Sequence, residues 1–457
     1  MSPESRTNDA RKNDVPVTDD GSAHLVAASA AISELSAQHR PSDLAAARDA
    51  VVAAREADTN VIIHGGGTKL TWGARPDSTG RAWSAIDTRA MDALIHHEPG
   101  DMTAIVQAGI PLARLRAELA VAGQQLAVDP PRRGGGPTVG GAYIANDAGP
   151  LRFSYGGIRD LVIGTTTVLA DGTISRSGGS VIKNVAGYDL NKLWCGSLGT
   201  LGLVVELIVR LHPLPEASRA LRIPATAETA SSFIADLLAS PAECSVVEWT
   251  SVGGGVLLLG FEGRSDGLPA RVDAVAALAR RHGLSAELVD DADDDAAGDE
   301  DDTTGDDGST TRGVLDHWRE AHAGRPGDTV VRAATLPDRL GHVAAALDQA
   351  GHAAAGSSPG GADVESELHS HAGLGLHDLV LRGGDTAAQA VLVREWRRRV
   401  AALGGSVVVR ERPPELDQHV DPWGQLGPAR LLDLSEAVKR SVDPERRFAP
   451  GRFVGGL

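Results

Sequence analysis

Three glycine-rich stretches, each abutting an apolar run of strand character, follow one another within about 140 residues, and they constrain the fold more than anything else in the chain. The first is Val61-Ile62-Ile63-His64-Gly65-Gly66-Gly67-Thr68-Lys69. The second runs Gly134-Gly135-Gly136-Pro137-Thr138-Val139-Gly140-Gly141-Ala142-Tyr143-Ile144-Ala145-Asn146-Asp147-Ala148-Gly149. The third is Val181-Ile182-Lys183-Asn184-Val185-Ala186-Gly187-Tyr188-Asp189-Leu190, followed by Gly196-Ser197-Leu198-Gly199-Thr200-Leu201-Gly202-Leu203-Val204. Consecutive glycines after a strand turn successive N–H groups inward and make an anion nest, to which Thr68 adds a hydroxyl donor. Neither a Walker A loop nor G-x-G-x-x-G fits the first stretch, since Leu70 stands where the third glycine belongs. A tight structural turn explains any one of the three alone, but not all three in order.

Composition narrows the classes. The 457 residues contain 54 Gly and only 3% aromatics, a mixture suited to close approach of backbone to a ligand. Of the net charge of −17, eleven acidic residues fall in 290–307, leaving −6 elsewhere. No broad basic patch exists, which excludes nucleic-acid binding as an expectation. Cys195 and Cys244 offer neither a disulfide framework nor a CxxC metal site. The polar start and the lack of an 18-residue apolar run predict a cytoplasmic protein with no membrane span, reaching the cytoplasmic face of a membrane only through partners.

Periodicity predicts a disordered segment over 1–36, then a helix from Leu44 to Ala54 with Ser42 as N-cap, and strands over 61–63, 103–108, 161–170 and 201–211. Pro213 and Pro215 mark a boundary between a first domain (37–216) and an α+β domain (217–440). Helices are expected there over 233–238, 270–282, 340–350 and 387–403. The acidic stretch 287–312 reads as a mobile loop, and 441–457 as a tail returning to the first domain.

The order GGGT, then GG-x-V/I-GG…A-N-x-A-G, then K-N-V-A-G-Y-D-L…G-S-x-G-T-L-G resembles the PCMH-type FAD-binding domain of the vanillyl-alcohol oxidase superfamily, and within it the E subunits of bacterial glycolate oxidase. The closing Asp443-Pro444…Pro450-Gly451-Arg452 resembles the superfamily's D-P-x-x-x-x-N-P-G-R, with Ala449 in place of Asn. The resemblance implies an α+β fold: a two-subdomain FAD-binding domain plus a ferredoxin-like cap. It implies that Gly65, Gly66, Gly67 and Thr68 hold the pyrophosphate of FAD. Thr138, Gly140, Gly141 and Asn146 would line the adenosine and ribityl portions or the isoalloxazine edge. Gly199, Thr200, Gly202 and Val204 would close over the cofactor. Lys69 and Lys183 are the cations placed to balance the phosphates or reduced flavin. Covalent members attach FAD through a His inside the first glycine loop; here that place reads Gly67-Thr68, so non-covalent FAD is expected.

The implied function is an FAD-dependent oxidoreductase subunit of a glycolate (2-hydroxy acid) oxidase complex, beside a homologous flavin subunit and an iron–sulfur subunit. A stand-alone D-2-hydroxy acid dehydrogenase such as one for D-lactate, and a non-catalytic assembly subunit, stay open. Metal-assisted relatives carry H-x-G-D-G-N-x-H in the cap. This chain has His369-Ser370-His371-Ala372-Gly373-Leu374-Gly375-Leu376-His377-Asp378, with Leu374 in place of Asp. Three histidines at i, i+2 and i+8 have the residue type for a metal, but the carboxylate is missing from its place. No metal is therefore expected, and no catalytic base is assigned.

Overall fold

A computed structural model describes residues 35–77, 80–131, 136–180, 188–289, 310–355, 364–424, 427 and 429–457. The first sheet is parallel, in the order β1-β3-β2, from β1 (Leu35–His39), β2 (Asn60–His64) and β3 (Trp83–Asp87). Between β1 and β2 runs α1 (Leu44–Glu56), which buries Ala47, Ala50, Val51 and Ala54 at helical spacing. Its N-cap is Asp43 rather than Ser42: the carboxylate accepts the Ala46 N–H at 2.8 Å. The predicted disordered segment gives way to β1 at Leu35; residues 1–34 lie outside the described residues.

The second sheet is antiparallel, in the order β4-β5-β8-β6-β7. Its strands are β4 (Leu94–Glu98), β5 (Thr103–Gln107), β6 (Val162–Val168), β7 (Ile174–Gly178) and β8 (Leu203–Arg210). Packed with it are α2 (Leu112–Ala120) and α3 (Val139–Ala145), in a core built around Leu115, Leu119, Tyr143 and Leu207. Asp171-Gly172 makes the expected turn between β6 and β7, with Gly172 at φ 84°.

The third sheet is an eight-stranded antiparallel one drawn from 217–411. It contains β9 (Ala217–Pro224), β10 (Val246–Thr250), β11 (Val256–Gly263), β12 (Glu287–Leu288), β13 (Thr329–Ala334), β14 (Glu365–His371), β15 (Leu376–Arg382) and β16 (Ser406–Glu411). They stand in the order β12-β9-β11-β10-β14-β15-β13-β16. Strand alternation splits its two faces. Val247, Trp249, Val331, Ala333, Leu368, Leu379 and Leu381 point into an apolar core shared with α4 (Ala227–Ala239), α5 (Leu268–Arg281), α7 (Leu340–Ala355) and α8 (Thr386–Ala402). Glu248, Arg332, His369, His371 and Asp378 lie on the opposite face and are buried as well. What covers them comes in part from the first domain: Phe153 sits on Gly373, and the Ser154 hydroxyl donates to the Ser245 carbonyl at 3.1 Å.

Helix α6 (Thr310–Ala321) was not foreseen, and neither was α9 (Ala429–Val442). The acidic stretch is also shorter than expected as a loop. Glu287–Leu288 pairs with β9 and α6 begins at Thr310, so only 290–309 falls outside the described residues. The chain then returns to the first sheet. Val61 and Phe448 form a parallel bridge, with the Val61 N–H on the Arg447 carbonyl at 2.7 Å and the Ala449 N–H on the Val61 carbonyl at 2.9 Å. The free edge of β2 is thereby covered. The buried Lys439 ammonium anchors this return, donating to Asp443 Oδ2 at 2.7 Å and to the carbonyls of Thr200 at 2.6 Å and Phe448 at 2.9 Å. Ala449 itself sits at φ 39°, in the left-handed region that Asn tolerates better than Ala. That is a backbone reason for the Asn of the resembled motif. Among the described residues no helix is long and apolar enough to cross a membrane.

Candidate cofactor cleft and the cavity beside it

The loop after β2 forms one wall of a cleft. Ile63, His64, Gly65, Gly66, Gly67, Thr68, Lys69 and Leu70 line it, facing Thr138, Gly141, Ile144 and Ala145 of α3 and its cap, with Leu198 and Arg452 closing it. Two contacts require glycine in the loop. A Cβ on Gly65 would lie 2.5 Å from Thr138 Oγ1, and one on Gly66 would lie 2.1 Å from the Gly136 carbonyl oxygen. The two glycine-rich stretches thus pack main chain on main chain. Thr138 caps α3, its hydroxyl accepting the Gly141 N–H at 3.1 Å.

Seven of the residues singled out from the sequence therefore share one cleft: Gly65, Gly66, Gly67, Thr68, Lys69, Thr138 and Gly141. Others take up structural positions. Gly140 is pressed against Ala108, where a Cβ would meet the Ala108 Cβ at 2.6 Å, and its N–H bonds the Ala108 carbonyl. Gly202 packs on Thr167, and the Thr200 hydroxyl closes a turn on the Ser197 carbonyl at 2.8 Å. Val204 is a core residue of β8. Asn146 ends α3 at φ 51°, and its buried Oδ1 has no hydrogen-bond partner. Gly199 has room for a Cβ beside Ile63 and Ile144 but holds φ 76°. Lys183 lies outside the described residues.

Lys69 is not a free cation. Its ammonium pairs with Asp147 at 3.1 Å and lies 5.6 Å from the Trp72 ring centre. The cation that sequence reasoning missed is Arg452, quoted in the tail motif but not as a wall of the site. Its guanidinium is buried and satisfied by carbonyls alone: Trp72 at 3.2 Å, Leu198 at 3.1 Å, Lys69 at 3.0 Å and Leu70 at 3.1 Å. Burial and the neighbouring Arg412 push its pKa down to about 10, so it remains charged at neutral pH. A positive charge with no carboxylate bonded to it, beside a glycine loop, suits a diphosphate. His64 points the same way. Its Nε2 is buried in the cleft wall without a partner, and burial keeps the ring neutral by lowering its pKa.

Past the Lys69–Asp147 pair lies a second cavity, between the first domain and the polar face of the eight-stranded sheet. Lys69, Trp72, Asp147, Arg319, His322, Arg332, His371, Arg410 and Glu411 line it. Asp147 joins both sides, with Arg410 at 3.5 Å; burial would raise this carboxyl, but Lys69 and Arg410 outweigh burial and keep it ionised. Arg410 stacks 4.1 Å from the Trp72 ring centre, and desolvation lowers its pKa to about 10.

The sheet's register assembles the rest. Glu248 lies directly opposite His371, and Arg332 directly opposite Asp378. His322, one residue beyond α6, enters between them: its Nδ1 is 2.8 Å from Asp378 and its Nε2 2.8 Å from Glu248. His371 Nδ1 is 2.9 Å from both Glu248 oxygens, and the two imidazoles stack at 4.0 Å. Burial disfavours charge on His322, yet the two carboxylates prevail and raise it to about 9; His371 is lowered, chiefly by burial. The histidine trio considered from the sequence does not form. His377 pairs with Ser370 on the other face and bonds Thr335 at 2.9 Å, while His369 bonds Thr250 at 3.0 Å.

Asp129 stands apart electrostatically. Burial pushes its carboxyl up to about 7; one oxygen accepts the Leu151 N–H at 3.2 Å and the other has no hydrogen-bond partner. An acid whose folded pKa exceeds its unfolded value binds more protons when folded, so its contribution becomes destabilising as pH rises from about 4 to 7. Asp129→Asn is expected to raise stability at pH 8 by ~1–3 kcal/mol, with the gain vanishing toward pH 4. The full linkage effect, ~4 kcal/mol, is reduced because the amide brings a buried N–H₂ that also needs a partner. Thermal midpoints of both proteins across pH 4–8 measure this; a pH-independent difference would refute it.

Comparison with known proteins agrees with this geometry. Residues 36–178 match the family described as FAD binding domain. The chain is 37% identical over 183 residues to glycolate oxidase subunit GlcE of Escherichia coli, covering 40% of this chain and 51% of that protein. It is 37% identical over 207 residues to glycolate oxidase subunit GlcD of Bacillus subtilis, covering 41% and 43%. In structure it superposes on p-cresol methylhydroxylase with a TM-score of 0.67 at 15% identity, over 91% of this chain and 88% of that one. The chain spans about half the length of the curated relatives it matches. The fold is the α+β, PCMH-type one, and residues 36–178 form an FAD-binding domain.

Proposed function

We propose that this chain, with an FAD-binding domain at its head, is a flavin subunit of an assembly that oxidises small 2-hydroxy acids such as glycolate, working beside a homologous flavin subunit and an iron–sulfur subunit. FAD, bound non-covalently, would supply the two-electron acceptor. The observation that carries the reading is the joining of two spaces through the Lys69–Asp147 pair: a glycine-walled cleft with a carboxylate-free arginine, and a cavity rich in guanidinium groups.

The chain's own residues have separable tasks. The 65–68 loop, with Arg452 beneath it, holds the diphosphate; His64 offers its unpaired ring nitrogen to the cofactor. Arg410, held on the Trp72 face and only weakly engaged by Asp147, receives a carboxylate, and the buried surroundings exclude water and strengthen that pairing. Arg332 is already taken by Asp378 and keeps the cavity wall in place.

Anaerobic titration with glycolate and D-lactate, following loss of the oxidised flavin's visible absorbance, tests the reading. Bleaching that requires co-purified partner subunits is the expected outcome. Bleaching of the isolated chain at a catalytically competent rate would make it a stand-alone dehydrogenase, and a chain that never takes up FAD would overturn the reading altogether.

A further inference from the structure

We propose that Glu248, His322 and His371 form a site for a divalent first-row transition ion, with a coordination position open to the cavity. The three residues come from β10, the segment after α6, and β14; all are buried, and their ligand atoms lie within 4.8 Å of one another. Two imidazole nitrogens and a carboxylate are a donor set suited to zinc, cobalt or iron(II).

The surroundings match what metal-binding histidines need. His322 directs Nε2 at Glu248 while its Nδ1 faces Asp378, so Asp378 fixes the ring and its tautomer from behind. Asp378 is in turn held by both Arg332 nitrogens. Both imidazoles, but not Glu248, line the cavity, leaving the ion's free side toward Lys69, Arg319 and Arg410. A small anionic oxygen ligand completes the shell there. The donor atoms now stand 2.8–2.9 Å from Glu248. Bonds of about 2.0–2.1 Å in a tetrahedral site separate ligands by roughly 3.3 Å, so metal entry needs a shift of a few tenths of an ångström. The proton shared by His322 and Glu248 leaves as the ion enters, which makes binding weaker at low pH. None of this depends on the flavin reading.

The test uses the full chain, stripped with a chelator, dialysed against Zn²⁺ and analysed for bound zinc by mass spectrometry. One ion per chain is expected. At a hundredfold excess over Kd, a rise in thermal midpoint of roughly 5 °C should follow. His322→Gln and His371→Asn should each lower affinity at least tenfold. Flavin content read on the same samples reports on the other cleft alone, so the two readings can fail separately. Absence of stoichiometric zinc and of any zinc-dependent shift in the wild-type chain overturns the site, even if both variants fold poorly. Full retention of zinc by both variants overturns the ligand set.

Discussion

Gly66→Ala should purify with at least tenfold less bound FAD than the wild-type chain. The added methyl would be 2.1 Å from the Gly136 carbonyl oxygen and 3.3 Å from its carbon, both backbone atoms that cannot rotate away. The first glycine loop must therefore lift from the second, and the amides that face the diphosphate move with it. A shift of this kind at a site held by several main-chain donors costs about 1.4 kcal/mol for each tenfold in affinity. Flavin absorbance per protein, together with FAD titration of the apoprotein, measures it. Gly351→Ala is the control. Gly351 lies in α7, a Cβ there meets nothing within 4 Å, and alanine is the better helix former by about 1 kcal/mol. Equal flavin content in the two variants would remove the cleft from consideration.

The second large effect is on stability. Asp378→Ala leaves Arg332 buried without its carboxylate and takes from His322 the acceptor of its Nδ1–H. Removing one partner of a buried ion pair costs ~3–5 kcal/mol, because the remaining charge is left in a poorly polarisable site. At about 2–4 °C per kcal/mol for a domain of this size, the midpoint should fall by roughly 6–20 °C. The carboxylate is held well below its usual range by Arg332 and His322 despite burial, so it is ionised throughout the neutral range. Calorimetry at pH 7 decides the matter: a fall below 2 °C would mean that the network contributes little and that water reaches Arg332.

What the sequence disclosed and what it hid follow from distance along the chain. The 65–69 loop is local: strand, glycines and hydroxyl are consecutive, and its partner at 138–141 announces itself by the same chemistry. The roles of Gly140, Gly202 and Val204 were not visible, because a glycine needed against a neighbouring backbone reads like one needed against a ligand. The polar cluster was hidden by pairing. His371 meets Glu248 across 123 residues and Asp378 meets Arg332 across 46, and only sheet register brings them together. Parity did offer a clue. In the β14–β15 hairpin His377 opposes Ser370 and Asp378 opposes His369, so the carboxylate sought at Leu374 stands at Asp378, on the histidines' own face. His322 gave no signal at all, lying just beyond a helix that the neighbouring acidic run obscured.

The stitching of residues 447–452 to the first sheet bears on when the protein can acquire its cofactor. Arg452 closes a wall whose opposite side was translated about 380 residues earlier. At ~5–20 residues per second, the ribosome needs roughly 20–80 s to make the intervening chain. Throughout that interval the nascent glycine loop lacks its basic partner, and β2 lacks the neighbour that seals its edge. Flavin capture is therefore a post-translational event, and cellular FAD supply and chaperone occupancy during that window, rather than synthesis rate, set the yield of holoprotein.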